Sequence, residues 1–170
     1  MRHYSENEGT DEIAVSQVDP SSPPEAAELA LLEILAWGKE PTPEQIASRA
    51  ARIGRELQTL DPAKKIFFLA HRAGVLVGAV RLWRDSDDQT VWWLVGLVVH
   101  PQYRRRGIAT RLTQACLAYA KDWQGNLLRS EVHLDNEVSI RFHEGFGFVN
   151  DGRFVAPDGD QKVAFSLPIR

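Results

Sequence analysis

Apolar residues recur along this chain at two different spacings, and the change between them divides it into parts. Ile13, Val15 and Val18 suggest a short first strand, stopped by Asp19-Pro20-Ser21-Ser22-Pro23-Pro24, which also offers helix caps. Leu29, Leu32, Leu35 and Ala36 then fall at helical spacing, predicting a helix from Glu25 to Trp37 that Gly38 ends. Thr42-Pro43-Glu44-Gln45 has the order of an N-cap, a first-turn proline and a capping-box glutamine. The helix it opens runs to about Leu60, with Ile46, Ala50, Ile53 and Leu57 on one face. Beyond it the period shortens. Ile66 to Ala70 and Val75 to Trp83 read as strands joined by the turn Arg72-Ala73-Gly74. Val91 to Val99 is a near-continuous apolar run, which implies cover on both faces.

The loop His100 to Arg106 leads to a helix from about Gly107 to Trp123, a strand from Leu127 to Leu134 and a short helix from Asn136 to Glu144. Phe146 to Asn150, Arg153 to Val155 and Val163 to Leu167 are the last strand candidates. Two helices, antiparallel strands, a strand–loop–helix–strand–helix unit and closing strands make a mixed α/β fold, with one crossover forced by the helix after the central strand. The chain's 170 residues suit one domain, expected over 12–170 behind a polar tail at 1–11.

Charge and composition remove several function classes. The formal net charge is -3, which argues against nucleic acid as the main partner. A single cysteine, Cys116, rules out an intrachain disulfide and a Cys-rich zinc site. Its place on the apolar face of a helix marks it as a core thiol. His133, Asp135 and His143 lack the local spacing of metal ligands, so no metal is expected. The start carries no apolar leader and no run is long enough to cross a bilayer, so the expectation is a soluble, cytoplasmic protein without a membrane partner.

The segment with the most chemistry is Leu97-Val98-Val99-His100-Pro101-Gln102-Tyr103-Arg104-Arg105-Arg106-Gly107-Ile108-Ala109-Thr110. A buried strand runs into proline, three arginines, a glycine and a helix start. That helix start offers unpartnered N–H groups and the positive end of a dipole. Gly107 lets an anion approach the backbone, Ala109 keeps the approach open, and the arginines add charge at the rim. Neither G-x-G-x-x-G nor a P-loop is present. As a bare pattern the segment also fits a solvated basic turn ahead of a surface helix.

The segment resembles the acetyl-CoA motif of the GNAT superfamily, [RQ]-x-x-G-x-[GA] after a strand ending in V-x-P, here Arg104-x-x-Gly107-x-Ala109 after Val99-His100-Pro101. A second stretch, Asn136-Glu137-Val138-Ser139-Ile140-Arg141-Phe142-His143-Glu144-Gly145-Phe146-Gly147-Phe148, is similar to the family's N-x-x-[AS]-x-x-L-Y-x-x-x-G-F. The resemblance covers roughly residues 65–168. It implies a mixed, mostly antiparallel, twisted sheet with helices on both faces, whose central strand splays from its neighbour to admit the coenzyme. It also implies an N-acyltransferase that moves acetyl from acetyl-CoA to an amine by direct attack. Leu97, Val98 and Val99 would line the pantetheine arm. Arg104, Arg105, Arg106, Gly107, Ile108, Ala109 and Thr110 would hold the pyrophosphate, and Asn136 would cap its helix and reach towards the coenzyme.

One position departs from the pattern. The usual tyrosine, which protonates the departing thiolate, is His143 here, in an H-E-x-x-G-F run that resembles phosphinothricin-type acetyltransferases. Histidine can fill that role, with a reference pKa of ~6.5 against ~10 for tyrosine. The bland alternative is a packed helix residue. Val91 to Val99 contains no glutamate, so the candidate base is Glu131 on the next strand, where some relatives that acetylate protein N-termini place theirs; the alternatives are a structural carboxylate there and a water chain with no dedicated base. Trp37 and Glu33 are candidate lining residues of the acceptor pocket. The acceptor amine is left open, the family allows a homodimer, and the alternative is a non-catalytic acyl-CoA-binding module.

Overall fold

The computed structural model describes residues 12–170, so the tail expected at 1–11 lies outside the described residues. The chain runs β1 (Ile13–Gln17), α1 (Ala26–Ala36), α2 (Pro43–Gln58), β2 (Lys65–Arg72), β3 (Val75–Arg84) and β4 (Val91–Val99). A single 3-10 turn at Pro101–Tyr103 leads into α3 (Ile108–Asp122), β5 (Leu127–His133), α4 (Glu137–Phe146), β6 (Val149–Val155) and β7 (Gln161–Pro168). The seven strands form one sheet in the order β1-β2-β3-β4-β5-β7-β6. Every neighbouring pair is antiparallel except β4 and β5, the pair that α3 connects.

Helices cover both faces. Beneath α1 and α2, Leu29, Leu32, Ile53 and Leu57 pack with Phe67, Leu69, Ala79 and Val98. Beneath α3, Ile108, Leu112, Cys116 and Ala120 pack with Ile66, Phe68, Val80, Leu82, Trp92 and Leu128. The alternate residues of β2 thus serve opposite layers, as a strand's period of two requires. Adjacent Trp92 and Trp93 divide likewise: Trp92 is fully buried, while Trp93 is half-buried and donates from Nε1 to Asp85 Oδ2 at 2.8 Å.

Two local features set the site. Gly78 on β3 lies so close to α3 that a Cβ there would sit 2.7 Å from Ile108 Cγ2, so the missing side chain lets the first turn of α3 press onto the sheet. In β4, Arg81 pairs with Val95 but Ala79 pairs with Val98, so β4 carries one extra residue. Gly96, at φ +62, absorbs this bulge. Leu94 packs in the α3 layer, yet Val98 faces the α1–α2 layer, because the bulge exchanges the faces of the residues beyond it.

Element ends differ in places from the sequence reading. The capping box forms: Thr42 Oγ1 accepts from the Gln45 amide while the Gln45 side chain accepts from the Thr42 amide, both at 3.3 Å. At α1, however, the N-cap is Glu25, with no side-chain cap bond. Phe146, expected to open a strand, closes α4, because the αL turn that ends the helix falls at Gly147. The two short strands expected at 146–150 and 153–155 are one strand, β6, interrupted by an irregularity between Asn150 and Gly152.

Candidate active site

Pairing between β4 and β5 stops early. Only Val91, Trp92 and Trp93 have register partners, at Leu127, Leu128 and Arg129. From Leu94 to Val99 the β5-facing edge of β4 has no strand partner, so a wedge opens between two parallel strands of the same sheet. The His100 amide donates to Val77 O on β3 at 2.9 Å, so by alternation the Val99 amide faces the wedge. A buried strand with unanswered backbone groups is a docking edge for an extended, amide-bearing ligand.

The wedge runs to the start of α3. Its N-cap is Gly107 at φ +74, a conformation that excludes most side chains, and a Cβ built there would meet nothing within 4 Å. The backbone at Gly107 is therefore open where it leads into α3, a helix of 15 residues whose first amides are those of Ile108, Ala109 and Thr110. Ile108 is buried and anchors that turn, while Ala109 and Thr110 are half-buried. This is the environment that holds phosphate oxygens. The three arginines are not equivalent. Arg105, at φ 63, and Arg106 are exposed, with the Arg106 guanidinium 5.8 Å from the Tyr103 ring centre. Arg104 turns away: its Nη2 donates to Ala36 O at 2.5 Å and its Nε to Val99 O at 3.5 Å. It ties the carboxyl end of α1 to the end of β4, so its cation complements a helix C-terminus.

At the narrow end of the wedge stands His143, 2% exposed. Its ring stacks on Phe165 with centroids 5.0 Å apart and leans on Phe148 at 4.9 Å. Nδ1 lies 2.7 Å from the Ser139 carbonyl and Nε2 lies 3.0 Å from Ser130 Oγ. These partners assign the tautomer: Nδ1–H donates to the carbonyl, leaving Nε2 to accept from the Ser130 hydroxyl. Burial pushes the pKa of His143 below the usual histidine value; the Ser139 carbonyl works the other way but does not win. Ser130 is the first β5 residue past the last β4–β5 pair, so His143 meets the apex through this hydroxyl. Asn136 caps α4, its Oδ1 accepting from the Ser139 amide at 3.1 Å. Glu131 points to the opposite side of β5 and ion-pairs with Lys162 Nζ at 3.6 Å.

A second opening lies on the α1–α2 side of the same β4 bulge. Glu33, Trp37, Arg49, Arg52, Glu56, Arg81, Trp83, Val95, Gly96 and Val98 line a cleft of ≈ 190 Å³. The expected lining residues Trp37 and Glu33 are both there. Glu33 is 5% exposed and sits among three guanidinium groups, accepting from Arg49 Nη1 at 2.8 Å and Arg52 Nη2 at 3.3 Å, with Arg81 Nη2 at 2.6 Å. Burial pushes the Glu33 carboxyl up, but Arg81, Arg49 and Arg52 together hold it below the usual carboxylate range. Glu56 binds Arg81 Nε at 3.0 Å and Lys65 Nζ at 3.5 Å. The arginines and Glu56 were missed from sequence, although signals exist. Arg81 interrupts an apolar strand, and a charge there needs a partner. Arg49, Arg52 and Glu56 fall at i, i+3 and i+7 on one face of α2.

Comparison with known proteins agrees with this geometry. The model of the Acetyltransferase (GNAT) family matches residues 29–148, well over half of the chain and both halves of the site. The chain belongs to the GNAT acetyltransferase family. It is 29% identical over 143 residues to an aminoglycoside N(6')-acetyltransferase type 1 of Acinetobacter baumannii, a match covering 80% of this chain and 92% of the relative. A GNAT-family structure from Desulfovibrio desulfuricans shares the fold with a TM-score of 0.75 at 20% identity, covering 94% of this chain and all of that one. An acetyltransferase of Salmonella typhimurium, solved with its cofactor acetyl-CoA, superposes with a TM-score of 0.65 at 16% identity over 93% of this chain and 94% of its own. Among the described residues of this GNAT chain, no group of three or more His, Cys, Asp or Glu is placed to hold a metal ion. No helix among them is long and apolar enough to cross a membrane.

Proposed function

We propose that this GNAT chain transfers the acetyl group of acetyl-CoA to a primary amine by direct attack. The observation that carries the reading is the alignment of the unpaired β4 edge with the open amides at the start of α3, one long path with amide partners at one end and an anion site at the other. Leu97, Val98 and Val99 would hold the pantetheine arm, and the amides of Gly107 to Thr110 the pyrophosphate, with Arg105 and Arg106 adding charge at the rim. Arg104 braces this loop against α1. Acetyl-CoA, when bound, supplies the activated acyl group.

The chain's own residues then position and stabilise. The Val99 amide receives negative charge developing on the acyl oxygen. The cleft beside Gly96 presents the amine from the other side of β4, so positioning supplies much of the rate. Proton traffic is assigned to the His143–Ser130 pair at the apex: Nε2 of neutral His143 takes up, through the Ser130 hydroxyl, the proton lost by the attacking amine, and the same hydroxyl passes that proton on to the departing sulfur. Glu131 competes for the role of base, but it is salt-bridged to Lys162 and does not line the cleft.

The test is acetyl-CoA-dependent thiol release with a panel of primary amines, the product identified by mass spectrometry. An N-acetylated amine, with turnover lost in Ser130→Ala and His143→Phe but kept in Glu131→Gln, is the expected result. Tight acetyl-CoA binding without turnover on any amine would instead mark a non-catalytic acyl-CoA-binding module.

A further inference from the structure

The cleft on the α1–α2 side carries an unusual balance of charge for a site that takes an amine. Three arginines line it against two carboxylates, and a fourth cation, Lys65, stands on Glu56 from outside the lining. The carboxylates are already engaged. Glu33 is shared by Arg49, Arg52 and Arg81, and Glu56 by Arg52, Arg81 and Lys65. The guanidinium groups are not used up in return. Arg49 bonds Glu33 through Nη1 alone. Arg81 is 6% exposed and spends Nη2 on Glu33 at 2.6 Å and Nε on Glu56 at 3.0 Å. Its Nη1 lies 3.0 Å from where a Cβ on Gly96 would stand, so this buried cation ends against the β4 bulge.

We propose that the acceptor is a small amine carrying its own negative charge, a carboxylate or phosphonate, held in this cleft by Arg49, Arg52 and Arg81. This rests on the transferase reading above and names the substrate class for it. Guanidinium groups match such oxyanions with paired N–H donors. The other end of the molecule then lies against Val95, Gly96 and Val98, the part of β4 whose opposite edge borders the wedge. Trp37 and Trp83, 53% and 37% exposed, stand at the cleft and offer apolar cover to a side chain.

The charge also says what does not fit. The relative from Acinetobacter baumannii is named for aminoglycosides, which are polycations at neutral pH. A polycation needs unengaged carboxylates in its pocket; here both are neutralised and surplus cations remain. A network that served only to hold α2 on the sheet would need no excess of positive charge, and Arg49 and Arg52 keep side-chain exposures of 33% and 50%.

The experiment separates this inference from the reading beneath it. Acetyl-CoA binding is measured first, by calorimetry, and tests only the coenzyme half. Turnover is then compared for the protein amino acids and 2-aminoethylphosphonate, for the matching amino-acid carboxamides, and for spermidine and kanamycin. The expected result is a preference of about tenfold or more for an anionic amine over its carboxamide, the scale of one charged hydrogen bond. Arg49→Gln and Arg52→Gln should raise KM for the anionic amine about tenfold more than KM for the carboxamide, and leave the acetyl-CoA affinity unchanged. Equal or better turnover of carboxamides or polycations overturns the proposal, as do arginine variants that alter stability alone. If no amine is turned over, or acetyl-CoA does not bind, titration of the same anionic amines into the protein decides: binding weakened by Arg49→Gln supports the site, and no binding overturns it.

Discussion

The two halves of the site are built on different principles. The proposed coenzyme half, from Leu97 to Thr110, is continuous in the chain and would work through its backbone: an unpaired strand edge, a turn at positive φ and the first amides of a helix. The proposed acceptor half joins α1, α2, β3 and β4 and would work through charged side chains that meet only in the folded protein. Backbone recognition of a shared coenzyme tolerates much side-chain change. A cleft made of side chains is where one family member differs from another. Damage to the two halves should therefore separate, one appearing in acetyl-CoA affinity and the other in the amine's KM and in stability.

The largest effect should come from Glu33→Ala. It removes one of the two carboxylates that hold the buried guanidinium of Arg81, and breaking such a buried cluster costs up to about 3–5 kcal/mol. Urea unfolding measures it. Because the arginines hold the Glu33 carboxyl below its ordinary range, its contribution is present above the unfolded value of ~4.3 and is lost as pH falls through the lower folded value. Wild type and Glu33→Gln should thus converge in stability at acid pH; a constant gap would mean the carboxylate's charge is not what holds the network.

Gly78→Ala comes next. The added methyl meets Ile108 Cγ2 and Leu112 Cδ1, an overpacking expected to cost about 1–3 kcal/mol. It should also weaken acetyl-CoA binding, because the proposed anion site sits on the displaced turn of α3. Undiminished acetyl-CoA affinity in this variant would sever that link.

His143 sharpens the comparison through pH. Its folded pKa lies below the unfolded value of ~6.5, so the unfolded chain binds more protons between the two values. Stability is full above ~6.5 and declines as pH drops through that window. In His143→Phe this slope should disappear, as read by melts across pH 5 to 7. The smallest change is Thr42→Ala, which removes the capping box of α2 at a cost of about 1 kcal/mol and leaves acetyl-CoA affinity untouched.

The same contrast explains what could be read from the chain alone. Helical spacing in α2 and α3 and the apolar run of β4 are short-range signals, and they appear as read. The wedge followed from family resemblance, while the bulge that makes it is hinted at by one glycine inside Val91–Val99. Phe146 was misplaced because an aromatic beside Gly147-Phe148 looks the same at the end of a helix as at the start of a strand. The arginine cluster was legible only in pieces, Arg81 inside an apolar strand and Arg49 and Arg52 on one helix face, since Glu33, Arg49 and Arg81 become neighbours only when α1, α2 and β3 meet. His143 lies between these cases: its position was readable, but its enclosure by Phe148, Phe165 and Ser130 is a product of packing.

The central claim is that the amides opening α3 hold the pyrophosphate of acetyl-CoA, and a pair of variants at Gly107 tests it most directly. Asparagine and aspartate both tolerate positive φ and have nearly the same shape, so they differ at this N-cap chiefly in charge. Acetyl-CoA is titrated into wild type, Gly107→Asn and Gly107→Asp by calorimetry. The account predicts clear binding to wild type and a loss in Gly107→Asp of about tenfold or more relative to Gly107→Asn, from a carboxylate set against phosphate. Equal affinities in the two variants would contradict it, and would move the coenzyme away from the start of α3.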